Sequence, residues 1–200
     1  MQVHKFEDRE SWMEARKTKI TGSRLKDIIV KRGTGQKIGY YELIAERLAL
    51  PPDDENPIDR GNRLEDEAIA VFEKETGKKV DTTLVLWQRD DNASIAISPD
   101  GFIEDIEAVE VKCLASARHL EALLTNEIPS EYEYQVLQYF IVNENLETLY
   151  FIFYDPRLSV KQMFYKTITR KEKEEDVEKY LEYQKNILQE INEIVNKLSF

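Results

Sequence analysis

Two short motifs carry the chemistry of this chain: Ser98-Pro99-Asp100-Gly101 and, after a brief run, Glu110-Val111-Lys112. The sequence holds 39 acidic residues and 28 lysines and arginines, yet Glu110 is the only acid that stands two positions before a lysine. On a strand, successive side chains point to opposite faces, so Glu110 and Lys112 share one face while Val111 takes the other. With Asp100 at the end of a neighbouring strand, two carboxylates and an ammonium group converge. Such a set holds a divalent metal through hard oxygen ligands and keeps a cation beside the water that the metal activates. The chemistry it points to is hydrolysis of a phosphodiester.

Each residue also has a plainer reading. Pro99 biases Ser98 toward an extended conformation, so the chain leaves its strand straight and turns at Asp100-Gly101, exposing the carboxylate; an ordinary Asp-Gly turn accounts for the same residues. Glu110 and Lys112 could form a salt bridge on a wet sheet surface. Ala108, Val109, Val111, Cys113 and Leu114 argue instead for a strand covered on both faces, where a buried Glu and Lys need partners. Glu65, directly after Leu64 near the start of a long helix, is a third carboxylate that a helix laid on the sheet can bring to the cluster. With Asp66 and Glu67 it serves equally as first-turn charge at the positive end of the helix dipole. His119 is not required, because metal-activated water needs no imidazole.

The elements that must position these groups follow from periodicity. Trp12 to Lys19 reads as a short helix; Thr21-Gly22-Ser23 caps a second from Arg24 to Lys31; a third spans Tyr40 to Ala49. After the acidic loop Asp53 to Asp59, a long helix begins near Arg60-Gly61, with Leu64, Ala68, Ile69 and Phe72 on one stripe, and ends at Gly77. The period then changes. Val80 to Trp87, Ala93 to Ser98, Phe102 to Ile103 and Ala108 to Cys113 are expected strands. Helices return at Ala117 to Leu124 and Glu131 to Val142, followed by strands Thr148 to Tyr154 and Val160 to Tyr165 around the turn Asp155-Pro156-Arg157. A long amphipathic helix from Lys171 carries an apolar stripe that serves either the core, which is the expectation, or a subunit interface. An α/β sandwich with a central mixed sheet is the natural packing.

A 42% hydrophobic share of 200 residues can bury one substantial core, so residues 1-200 are expected to form a single domain: a basic helical part at 1-50, a catalytic core at 60-168 and a C-terminal helix at 170-200. No run of about 18 apolar residues and no signal segment is present, which makes a cytoplasmic protein the expectation. Cys113 has no second cysteine to pair with and reads as a buried structural thiol. A net charge of -11 disfavours nucleic acid at first sight, but eight basic residues stand between Arg16 and Lys37 against the single acid Asp27. The charge is segregated.

Arg16 to Ser23, Gly61-Asn62-Arg63-Leu64-Glu65, Ser98-Pro99-Asp100-Gly101, Glu110-Val111-Lys112-Cys113, Arg118 six residues after the lysine, and Tyr132 with Gln135-Val136 occur in an order and spacing that resembles one group. It is the lambda-type phage exonuclease, or YqaJ-like viral recombinase, family of the PD…(D/E)xK nuclease superfamily. The resemblance covers residues 12 to 157, including Tyr154-Asp155-Pro156-Arg157. It implies a restriction-endonuclease-like core and a Mg²⁺ ion, replaceable by Mn²⁺, held by Asp100, Glu110 and the Val111 carbonyl, with Glu65 as a direct or water-mediated ligand. Lys112 then orients or deprotonates the attacking water or stabilises transition-state charge. Gln135 lies near that water and Tyr132 is a neighbouring aromatic. Arg16, Ser23, Ser98 and Arg118 match positions that hold a 5′-phosphate. The implied activity is 5′-to-3′ digestion of double-stranded DNA ends in phage or prophage recombination inside a bacterial host, leaving 3′ single-stranded overhangs. A homotrimeric ring and a phage single-strand annealing protein as partner are implied with it. The alternatives are a structure- or site-specific endonuclease on the same core, and a catalytically inactive nuclease-fold protein that binds DNA or a partner.

Overall fold

The computed structural model describes residues 8–16, 35–51 and 55–198. Its centre is a four-stranded sheet in the order β3 (Gly101–Ile103), β4 (Glu107–Lys112), β5 (Thr148–Tyr154) and β6 (Met163–Thr169). β3 and β4 are antiparallel, β4 and β5 parallel, β5 and β6 antiparallel, so the sheet is mixed. A separate two-stranded ribbon pairs β1 (Trp87–Gln88) with β2 (Ala96–Ile97).

β4 and β5 are covered on both faces, which is why β5 reads as the unbroken apolar run Leu149 to Tyr154. On one face, Val109, Val111, Tyr150 and Ile152 meet Leu64, Ala68, Ile69 and Phe72 of helix α3 (Pro57–Thr76). On the other, Ala108, Leu149, Phe151 and Phe153 meet Val136, Leu137 and Phe140 of α5 (Glu133–Val142). Complete burial of an aromatic such as Phe72 or Phe140 contributes roughly 2 to 3 kcal/mol in transfer terms alone. Helices α2 (Ile38–Arg47) and α4 (Ser116–Thr125) pack on each other through Tyr41 and Leu120. The C-terminal helix α6 (Arg170–Leu198) is tied to the end of α5 by Arg170, which donates to the carbonyls of Phe140 at 2.9 Å and Leu146 at 2.8 Å.

Several boundaries differ from expectation for local reasons. The first helix, α1 (Arg9–Arg16), starts before Trp12 because Asp8 caps it, accepting from the Ser11 N–H at 2.7 Å. α3 starts at Pro57 rather than Arg60, since Asn56 accepts from the Ile58 N–H at 2.9 Å and proline suits the first helical position. Of the strand expected at Val80 to Trp87, only its last residue pairs in a ladder; Asp81 bridges Phe102, turns the chain by accepting from the Thr83 N–H, and leaves Leu84 and Leu86 exposed. Ala93 to Ser98 shrinks to β2. The strand expected at Val160 to Tyr165 is displaced to Met163–Thr169: a turn from Asp155 to Lys161 leaves Val160 exposed, and β6 takes its register from Tyr154↔Met163. In α6 the expected core stripe holds only for the first half, where Val177 is buried and Tyr180, Leu181 and Leu188 pack against the core; residues 189–198 are exposed. The helix expected at Arg24 to Lys31 lies outside the described residues. No helix among the described residues is long and apolar enough to cross a membrane.

Gly101 is where the backbone leaves no room. A Cβ there would sit 2.4 Å from Val80 Cγ1, and valine has no flexible end to move aside. Gly101→Ala is therefore expected to destabilise by about 1 to 3 kcal/mol, and Val80→Ala in the same chain to recover most of that loss. Equal urea midpoints for Gly101→Ala and the parent would contradict this packing.

Candidate functional site

The register of β3 on β4 brings the two motifs together. Gly101 pairs with Val109, so Asp100, one step beyond, stands opposite Glu110. As β3 begins only at Gly101, the Asp100 carboxylate takes a hydrogen bond from the next strand position, with the Val111 N–H donating to Oδ2 at 2.7 Å. Alternation along β4 sends Val111 toward α3 and Glu110 with Lys112 toward α5.

Glu110 is 2% exposed, and a buried carboxylate requires donors. It has three. Lys112 Nζ and Gln135 Nε2 both donate to Oε1, the latter at 2.6 Å, and the Tyr139 hydroxyl donates to Oε2. Gln135 and Tyr139 are four apart on α5 and so lie on one helical face. The Lys112 ammonium also sits over the Tyr132 ring at 5.1 Å, and Tyr132 packs on Phe151. Burial and the Glu110 charge push the Tyr139 hydroxyl well above its ordinary pKa, so it remains a donor.

Glu65, Asp100, Glu110, Val111, Lys112, Arg118 and Tyr132 line one cavity of about 610 Å³. Burial, then the Glu110 charge, pushes Asp100 up to about 7, against the opposing Val111 hydrogen bond. Burial, then Asp66 and Glu110, raises Glu65 as well. Among the described residues no three His, Cys, Asp or Glu side chains are closed around a point that could hold a metal ion. The donor chemistry nevertheless suits a hard cation. Among the described residues Glu65 accepts no hydrogen bond and Asp100 accepts only at Oδ2, so uncommitted carboxylate oxygens face a cavity whose mutual repulsion a divalent ion offsets.

The remaining expected residues separate. Arg118 lines the cavity while its Nη1 donates to Glu121 at 2.7 Å. Ser98 is not on the cavity wall; its hydroxyl donates to the Val85 carbonyl at 2.7 Å. The Arg16 side chain and the whole of Ser23 lie outside the described residues. Asp155 pins the start of α4 to the end of β5: Ser116 Oγ and Arg157 Nε each donate to it at 2.7 Å. Burial works to raise the Asp155 pKa, but those two partners outweigh it and hold the carboxylate below its usual range. His119, next to Arg118, is fully buried against Phe164, 3.4 Å from the Lys161 carbonyl, and burial depresses its pKa. Cys113 is buried, with its thiol pushed up to about 12, so it is the structural thiol expected. Tyr139 was not foreseen. Its signal in the sequence is its position four residues after Gln135 on a helix.

The raised Asp100 pKa has a stability consequence. Between about pH 4 and 7 the folded chain keeps a proton on Asp100 that the unfolded chain has lost, so without metal its contribution to stability falls as pH rises through that window. Full ionisation at pH 8 opposes folding by up to on the order of 4 kcal/mol. Asp100→Asn in EDTA should thus melt roughly 5 °C or more above the parent at pH 8, with the gap closing toward pH 4. Added Mg²⁺ should raise the melting temperature of the parent more than that of the variant. A variant no more stable than the parent at pH 8 would contradict the crowding of charge at this site.

A profile of the YqaJ-like viral recombinase domain matches residues 11–145. Two similar solved structures are of an alkaline exonuclease, LHK-Exo, from Laribacter hongkongensis, one of them in complex with dAMP. Each is 29% identical, covers 95% of this chain and 100% of its own, and superposes with a TM-score of 0.57. No curated protein is matched. The mixed sheet flanked by helices is thus the α/β, restriction-endonuclease-like arrangement expected from the sequence, shared with a nuclease. With more than half of its length matched, the chain belongs to the YqaJ-like viral recombinase family.

Proposed function

We propose that this single-domain protein is a Mg²⁺-dependent exonuclease that digests double-stranded DNA from the 5′ end in phage or prophage recombination, leaving 3′ single-stranded overhangs. The observation that carries the reading is the convergence of Asp100, Glu110, Glu65 and Lys112 on one cavity, in a family whose structural neighbour is an alkaline exonuclease solved with a nucleotide. Asp100, Glu110 and the Val111 carbonyl are the metal ligands in this reading, with Glu65 joining directly or through water. The ion, when bound, supplies an acidified water and neutralises phosphate charge. Mn²⁺, with similar oxygen preference, can replace Mg²⁺.

The side chains around these ligands have distinct tasks. Lys112 places an ammonium beside the reacting phosphate and balances the carboxylates; Tyr132 and Phe151 fix where that charge sits. Gln135 holds Glu110 Oε1 and lies near the attacking water. Arg118, with its planar guanidinium on the cavity wall, takes the 5′-phosphate, joined by Arg16 and Ser23 from the basic N-terminal part. Ser98 joins this pocket only by giving up its bond to Val85. Because a metal competes with the proton on Asp100, raising Mg²⁺ should move the acid limb of activity to lower pH. A homotrimeric ring around duplex DNA, an annealing protein as partner and a location in the bacterial cytoplasm complete the proposal.

The test is digestion of linear duplex labelled at either 5′ or 3′ ends, alongside circular duplex, with Mg²⁺ or EDTA. Release of the 5′ label alone, in Mg²⁺ alone, with circles intact, is expected. Asp100→Ala and Glu110→Gln should lose cleavage by at least about a hundredfold while retaining DNA binding, and 5′-phosphorylated duplex should outpace 5′-hydroxyl duplex. Cleaved circles would favour the endonuclease alternative, and binding without cleavage the inactive one.

A further inference from the structure

The distal half of α6 carries a surface unrelated to the cavity. Val177, Tyr180, Gln184, Ile187, Ile191, Ile194 and Leu198 recur at alternating spacings of three and four, the heptad pattern of a helix that packs along one seam. The first three face the body of the protein. Val177 is buried, Tyr180 meets the Tyr134 ring at 5.4 Å, and Gln184 donates to Gln138 at 2.8 Å. From Ile187 onward the seam runs out into solvent, with Ile187, Ile191, Ile194 and Leu198 exposed by 37%, 47%, 48% and 73%. Four aligned aliphatic side chains on a projecting helix leave a stripe that water solvates poorly.

We propose that this stripe is a self-association surface on which α6 of a second copy docks antiparallel about a two-fold axis. The flanking charges select that occupant. Glu190 and Lys197 stand immediately before Ile191 and Leu198, on the same edge of the seam, and neither is in any ion pair found among the described residues. In a parallel pair this edge faces the opposite edge of the partner helix, so that Glu190 meets Val195 and its charge has no counterpart. In an antiparallel pair the edge faces itself. A two-fold contact is reciprocal, so each Glu190 meets Lys197 of the other copy, twice over. The same register stacks Ile191 on Ile194 and Ile187 on Leu198, again twice each. It also keeps the two globular bodies at opposite ends of the paired segment, which matters for molecules that each carry a net charge of -11.

Light scattering behind size exclusion reads this directly. The parent should have at least twice the mass of Ile191→Glu/Ile194→Glu, and that variant should still fold and unfold cooperatively because the changed residues are exposed. Lys197→Glu should weaken self-association about tenfold, by replacing two attractions with two repulsions, and Glu190→Lys/Lys197→Glu should restore it. Equal masses for the parent and Ile191→Glu/Ile194→Glu would overturn the proposal. So would a Lys197→Glu variant that associates as tightly as the parent, the result a parallel pair gives, or a charge swap that fails to restore association.

Discussion

The structure is organised around one deeply buried carboxylate. Glu110 lies on a strand covered on both faces, and ionised carboxylates are not tolerated there without compensation. Lys112, Gln135 and Tyr139 provide that compensation from two directions, along the strand and from the helix above it. Asp100 and Glu65 then stand close enough to Glu110 for its charge to oppose their ionisation. A protein selected only for stability gains little from such crowding. Such crowding suits the cation site proposed for these residues.

The fold meets this requirement by dividing β4 between two layers. Val109 and Val111 anchor the strand to α3, and α3 in turn carries Glu65 to the cavity; Ala108, Glu110 and Lys112 face α5, which brings Gln135 and Tyr139. The parallel pairing of β4 with β5 sets Lys112 beside Phe153 at the strand ends, where the buried Asp155 fastens the start of α4 and with it Arg118. Each catalytic candidate is therefore positioned by an element with its own apolar anchor. Packing and chemistry use alternate residues of the same segments.

Much of this was legible in the sequence because the apolar periods are strong. The stripe Leu64, Ala68, Ile69, Phe72 placed α3, the run Thr148 to Tyr154 placed β5 to the residue, and the two-residue spacing of Glu110 and Lys112 placed them on one face. What escaped depends on contacts between distant segments. Leu84 and Leu86 look like strand residues, but no ladder partner reaches them and Asp81 diverts the chain. β6 takes its limits from pairing with β5 rather than from its own composition. Tyr139 reads as one more core aromatic until Glu110 is seen beneath its hydroxyl, and Ser98 opens the motif while its hydroxyl turns to Val85.

The central claim, that Asp100 and Glu110 form a metal site, is tested most directly by diffraction at the manganese edge from crystals soaked in Mn²⁺. The account predicts an anomalous peak between the Asp100 and Glu110 carboxylates in the parent and none there in Asp100→Asn. A parent crystal with manganese bound elsewhere and no peak between these two residues would contradict it.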